Sequence, residues 1–270
     1  MNYRPASNTP PVVTNLIIIN VLMLMATWVL QRTAEIDLID ILGMHYPASE
    51  KFHVYQIITH MFMHGGITHL FFNMFALWMF GRILENVWGG KRFLVYYFAT
   101  GLGAVALHML VAHFEINAMQ KAAVAFSNTP TPDLLEHFVN KYLGGSWSYA
   151  QSVIQAFYDN SSSPELIAQS ENIIQQIVVR VINIPTVGAS GAVYGVLLAF
   201  GMLFPNTQLM LIFPPIPIKA KYMVIAYGLI ELCLGITNSG GSIAHFAHLG
   251  GMIFGFFLIK YWQKTSKTFY

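Results

Sequence analysis

Apolar stretches long enough to cross hydrocarbon recur along this chain, at residues 12–30, 67–84, 93–114, 187–204, 222–237 and 243–261, and they limit its architecture more than any other feature. A helix of about 20 apolar residues spans a bilayer core. Lipid offers no partner for backbone N–H and C=O groups, so each run is predicted to be helical. Only 10% of the 270 residues are charged and 55% are hydrophobic, against about a quarter charged in an ordinary soluble domain. That deficit sets a large soluble core aside. The five Trp and 13 Tyr suit the two interfacial belts, where a ring has one apolar and one wet side. The expected fold is therefore an all-α polytopic membrane protein with six spans.

Orientation follows from Lys and Arg near the span ends. One side receives Arg4, then Arg82, Lys91 and Arg92, then Lys219 and Lys221, and finally Lys260, Lys264 and Lys267. The other receives Arg32, Lys51, Lys121, Lys141 and Arg180 in much longer loops. Both termini are thus expected in the cytoplasm. The first run, Val12 to Leu30, exceeds a signal-peptide core and has no small-x-small cleavage site after it, so it reads as a retained span. A formal net charge of +2, dispersed along the chain, excludes a nucleic-acid partner. The single cysteine, Cys233, lies in an apolar stretch and reads as a small buried residue.

Two external segments are long, Gln31 to Gly66 and Glu115 to Thr186. Residues 1–270 read as one membrane domain, with 117–183 as a polar extracytoplasmic insertion between the third and fourth spans. Within it Leu134, Leu135, Phe138 and Tyr142, and later Leu166, Ile173, Ile174 and Ile177, recur at helical spacing. Short amphipathic helices are one reading of this pattern and a linker without fixed structure the other. Neither an internal repeat nor a phosphate-binding glycine loop is present.

Polar groups inside spans are expensive and tend to face a cavity or a partner. They fall in three places. His69 and Asn73 lie four apart on one face of the second span and could donate toward one point. Ser190 stands in the first turn of the fourth span, within Gly188-Ala189-Ser190-Gly191, where free N–H groups and the helix dipole favour an anion. Gly188 lets backbone approach a substrate, and Gly191 and Gly195 let a helix come close. In the sixth span His248, Gly251 and Gly255 share a face. If that face packs on Gly191 and Gly195, His248 meets Ser190, and a neutral imidazole would take the hydroxyl proton during attack. No Asp or Glu lies in the fourth or sixth span, so the pair reads as a dyad.

Two other chemistries use similar residues. His60, His64, His69, His245 and His248 could assemble a metal site, although no His-Glu-x-x-His pattern is present. A transporter or channel would also place polar groups at mid-depth, but paired half-motifs are absent.

With these residues in view, the chain resembles the rhomboid family of intramembrane serine proteases over most of its length outside about Asn117 to Asn183. The motifs stand in family order: His-x-x-x-Asn at His69 and Asn73, Gly-x-x-x-Glu at Gly81 and Glu85, Gly-x-Ser-Gly at Ser190, and Ala-His-x-x-Gly-x-x-x-Gly from Ala247 to Gly255. The opening Pro11 to Val21 also resembles bacterial members.

The resemblance implies a six-helix rhomboid-like bundle in a bacterial inner membrane, and a serine-type endopeptidase acting through a Ser190/His248 dyad. Its cavity would open to the extracytoplasmic side. It further implies oxyanion donors from His69, Asn73 and the Ser190 N–H, a substrate path beside Gly188, and Tyr194 as the ring on which the catalytic imidazole stacks. Glu85 and His64 would be structural, and no metal or cofactor would be used. The implied substrates are single-span membrane proteins, cut near the outer face of the bilayer where the helix is destabilised and a small residue precedes the bond. A catalytically inactive relative acting as a binding protein would lack the nucleophile or the base; both are present. Where many members have Trp-Arg in the first external loop, Tyr55 and Gln56 stand here. The insertion enters directly before the nucleophile and is expected to cap the cavity or select substrates.

Overall fold

The computed structural model describes residues 9–143, 147–210, 215–237 and 242–265, without the side chains of 242 and 243. Arg4 and Lys267 of the charge pattern lie outside the described residues. The chain divides into two compact units, one of residues 1–44, 53–110 and 185–270 and the other of residues 45–52 and 111–184. Both are almost wholly helical.

The first unit begins with α1 (Pro11–Thr33). Val13, Leu16, Asn20, Leu24 and Thr27 form its buried stripe at helical spacing, while Ile18, Leu22, Met25 and Val29 on the other side are exposed. Exposed apolar side chains in such numbers suit a helix whose outer face meets lipid. Proline at the first helical position loses no intrahelical bond. The next two N–H groups, of Val12 and Val13, donate to Oε1 and Oε2 of buried Glu85 at 3.0 and 2.8 Å. A carboxylate at a helix N-terminus satisfies orphan donors and meets the positive end of the dipole.

Two short helices follow, α2 (Leu38–Leu42) and α3 (Gln56–Thr59), the latter continued by a 3₁₀ turn, His60–Phe62. Gln56 is buried and donates to the Ile41 carbonyl at 3.1 Å; Tyr55 is exposed and stacks on His53. Next come α4 (Ile67–Ala76), a π-helical turn (Leu77–Gly81) and α5 (Arg82–Trp88), which run end to end. Helix α6 (Gly90–Asn128) has 39 residues and continues well past the end expected near residue 114.

Later come α10 (Ser190–Leu203), α11 (Ala220–Thr237) and α12 (Ser242–Thr265). Helix α10 is apolar and buried on nearly every side, which marks it as the central helix. Tyr96 Oη of α6 donates to the Gly195 carbonyl at 2.9 Å, and Thr100 fills the space beside Gly195. A side chain at Gly251 would run into the Gly191 carbonyl oxygen, so α12 and α10 touch through bare backbone. Gly255, one turn further along α12, faces Tyr96 and Thr100 of α6.

Among the described residues, four helical stretches are long and apolar enough to cross a membrane: Pro11–Thr33, Ile67–Trp88, Gly90–Asn128 and Ala220–Thr237. The protein is a multi-pass membrane protein. The chain is predominantly helical, as an all-α polytopic membrane protein requires, with one short antiparallel pair, β1 (Gln208–Met210) and β2 (Pro217–Lys219), between α10 and α11. One expectation needs correction. Cys233 is exposed rather than buried. Glu231 and Gly235 mark the inner face of α11, and a residue two positions from each points to the opposite side.

The second unit takes the end of α6 together with α7 (Pro132–Leu143), α8 (Ser148–Asp159) and α9 (Pro164–Ile182). Its buried stripes are Ile116, Met119, Ala123 and Phe126; Leu135, Phe138 and Val139; Val153, Ile154 and Phe157; and Ile173, Ile174, Ile177 and Val178. Each keeps the spacing of one helical face, so the helical rather than the unstructured reading of this segment describes it. Ser163 caps α9 by accepting from Leu166 N–H, with Pro164 at the first helical position.

Replacing Glu85 with Gln removes the charged partner of two buried N–H groups and should lower stability by about 1–3 kcal/mol. Thermal unfolding in detergent micelles checks this, and an unchanged midpoint would contradict the capping role.

Candidate active site

The approach to α10 is held from two sides. Met44 and Thr186 exchange backbone hydrogen bonds at 2.9 Å, and Gly188 N–H donates to the His60 carbonyl at 2.9 Å. Gly188 adopts φ +128, which side chains rarely tolerate, and a Cβ there would lie 2.9 Å from His69 Cε1 and 3.0 Å from Nε2. The same point is 3.6 Å from Ser190 Oγ, so the imidazole of His69 and the hydroxyl of Ser190 flank this glycine. The helix starts at Ser190 itself. The N–H groups of its first turn have no carbonyl four residues back and are available to an anion. A small cavity here is lined by Gly101, Ala104, Thr186, Val187, Gly188 and Ser190.

His248, on α12, lies across from Ser190, with Nε2 2.9 Å from Oγ. Its ring stacks face to face on Tyr194, with centroids 4.2 Å apart and planes 5° from parallel. Tyr194 is one turn beyond Ser190 on α10, so one helix presents both the hydroxyl and the ring support. His69 touches His64 edge to face at a centroid distance of 5.0 Å, and His64 is buried. Asn73 is buried one turn after His69 and donates Nδ2 to the His69 carbonyl at 3.0 Å, which leaves one amide proton for another acceptor.

Sequence reasoning missed Glu231. It sits on α11, is 6% exposed, and holds three groups at its two oxygens. Tyr194 Oη donates to Oε1, His245 Nδ1 lies 2.6 Å from Oε2, and His248 Nδ1 lies 3.1 Å from Oε1. The last contact lies off the line of the ring N–H, so at rest it is a close electrostatic contact rather than a full hydrogen bond. The signal was present, since Glu231 is the carboxylate inside the fifth apolar run, where a charge is costly without a partner. Glu231 lies on a different span from both Ser190 and His248.

Glu231, His245 and His248 offer donor atoms within 4.8 Å of one another, a spacing open to a metal ion. Among the described residues, His60, His64 and His69 form no such group with His245 and His248. A hydroxyl bonded to an imidazole, at a helix N-terminus and beside a second imidazole, is suited to acyl transfer: one group attacks, one takes the proton, and the others receive developing negative charge.

A serine–imidazole site buried among the apolar helices of a multi-pass membrane protein defines a class, and comparison with known sequences supplies the family. The family model described as Rhomboid domain matches residues 51–124 and 146–264, and the chain belongs to the rhomboid family. It is 42% identical over 53 residues to "Rhomboid protease GluP" of Bacillus subtilis, 19% of this chain and 10% of that protein. It is 30% identical over 100 residues to "Rhomboid-like protease 3" of Toxoplasma gondii, covering 36% and 38% of the two chains. With "Rhomboid protein 1, mitochondrial" of Saccharomyces cerevisiae the identity is 33% over 87 residues, 31% of this chain and 25% of the other. The chain thus spans less than two-fifths of the length of each of these relatives.

Gly188→Ala would press a methyl group against His69 and strain the backbone beside Ser190. The rate at which a fluorophosphonate labels Ser190 in the folded protein should fall by about 10²-fold, the usual effect of a displacement near 1 Å. Labelling at the wild-type rate would contradict this.

Proposed function

We propose that this protein is an intramembrane serine endopeptidase in which Ser190 is the nucleophile and His248 the base. The 2.9 Å contact between His248 Nε2 and Ser190 Oγ is the observation that carries this reading. As Oγ bonds to the scissile carbonyl carbon, its proton passes to Nε2 and the carbonyl π pair becomes an oxyanion. The Ser190 N–H, His69 and Asn73 are its donors. Collapse of the tetrahedral intermediate breaks the C–N bond, and the imidazolium gives its proton to the leaving amine. Water then attacks the acyl-enzyme with His248 again as base, which requires a polar lining such as His64 and Asn73 provide. Tyr194 keeps the imidazole plane fixed, and Gly188 leaves the approach to Ser190 open. Neither metal nor cofactor enters this scheme.

In this reading the six apolar runs all span, with α10 as a short fourth helix and α12 as the sixth. Both termini are cytoplasmic in a bacterial inner membrane, and the cavity opens to the extracytoplasmic side. Substrates are single-span membrane proteins cut near that face, next to lipid and beside a small residue. The helical insertion at 117–183 governs substrate choice. The close donors of Glu231, His245 and His248 favour one rival, a metal enzyme.

Both readings are separated by one series in liposomes carrying a single-span reporter. Ser190→Ala and His248→Ala should each reduce cleavage by on the order of 10⁴- to 10⁶-fold, and a chelator should leave wild-type cleavage unchanged. Cleavage retained in Ser190→Ala and lost to chelator would instead assign the chemistry to a metal. Deletion of 117–183 should alter the ranking of several reporters by cleavage rate, and an unaltered ranking would remove the insertion from substrate choice.

A further inference from the structure

The serine mechanism leaves a buried carboxylate unexplained. Glu231 stands in an apolar span, where an unpartnered charge is strongly unfavourable, and it gathers groups from two other helices: Tyr194 from α10, and His245 and His248 from α12. Here one of them is the imidazole that contacts Ser190, approached at the nitrogen opposite the serine. Resting on the serine-protease reading above, we propose that Glu231 is a positioning residue that extends the Ser190–His248 pair to a Ser–His–Glu triad.

The two imidazoles share one carboxylate without competing for one oxygen. His245 takes Oε2 at 2.6 Å and so fixes the plane of the carboxyl group. Oε1 is left to Tyr194 and to His248 Nδ1 at 3.1 Å. A carboxylate accepts only, so Nδ1 of His248 must carry the proton when it faces Glu231. That tautomer leaves Nε2 with its lone pair toward Ser190 Oγ, the state a general base requires. During attack Nε2 gains the serine proton, the ring becomes a cation, and the off-axis contact to Oε1 can close into a charge-assisted hydrogen bond. Glu231 stays ionised throughout and takes no proton.

Tyr194 therefore has two connections to the same imidazole: it stacks on the ring and donates to the carboxylate that faces Nδ1. His69, flanking the far side of Ser190 across Gly188, lies outside this network.

The test compares wild type, Ser190→Ala, Glu231→Gln and Glu231→Asp in liposomes with a single-span reporter, with and without chelator. Cleavage kinetics, the rate of fluorophosphonate labelling and the ¹⁵N resonances of the His248 ring are followed. Glutamine offers one acceptor oxygen and no charge, so Glu231→Gln should lower kcat with little change in KM. The fall should be at least about 10-fold, up to the about 10⁴-fold seen when a triad carboxylate loses its charge. Its His248 resonances should move from the Nδ1–H tautomer toward a mixture. Glu231→Asp keeps the charge and should recover part of kcat and the Nδ1–H tautomer, which loss of packing alone would not restore. Should Glu231→Gln fail to fold, the Asp variant and the wild-type resonances decide alone, since an Nε2–H tautomer in wild type overturns the proposal. Wild-type kcat in Glu231→Gln beside an inactive Ser190→Ala overturns the triad and leaves the serine mechanism standing. An active Ser190→Ala, with wild-type cleavage lost to chelator, overturns both in favour of a metal held by Glu231, His245 and His248.

Discussion

Contact between two glycines sets the distances on which the site depends. Gly251 of α12 lies on the carbonyl of Gly191 of α10, with no side chain between the two backbones. Gly191 immediately follows Ser190 and Gly251 lies three residues after His248, so the same approach that lets the helices touch brings the hydroxyl and the imidazole to 2.9 Å. Association in lipid gains nothing from hiding apolar surface from water, and small residues that permit close backbone packing take its place. A methyl group at this contact would move both partners at once.

The second constraint acts on the chain leading into α10. Thr186 is paired with Met44, and Gly188 is tied to His60, so segments far apart in sequence hold the residues before Ser190. The positive φ at Gly188, open to glycine and rarely to other residues, is fixed by these bonds. The loop after α1 is in turn anchored by Gln56 to Ile41 and by Thr59 to Leu42, which makes it part of the support for the site.

Glu231 shows how a charge is accommodated at apolar depth. Its two oxygens are met by a phenol and two imidazoles drawn from neighbouring helices, so desolvation is offset by the hydrogen bonds of Tyr194 and His245 and by the close contact to His248. Elsewhere in the first unit Glu85 solves the same problem differently, by accepting two backbone N–H groups at the start of α1. Neither arrangement follows from the local sequence around the carboxylate.

Much of the organisation is legible in the sequence because periodicity and cost are local properties. Apolar runs must be helical in lipid, and polar residues inside them must have partners, so His69, Asn73, Ser190 and His248 stand out by their position in the runs alone. The amphipathic spacing in 117–183 is consistent with helices, but the spacing alone leaves a linker without fixed structure open. What the sequence could not decide is which faces meet. That Gly251 rests on Gly191 while Gly255 turns to Tyr96, that Cys233 points outward, and that Glu231 of one helix faces the imidazole of another are consequences of helix rotation and crossing. Those angles come from side-chain packing summed over the whole bundle, and no window of sequence contains them.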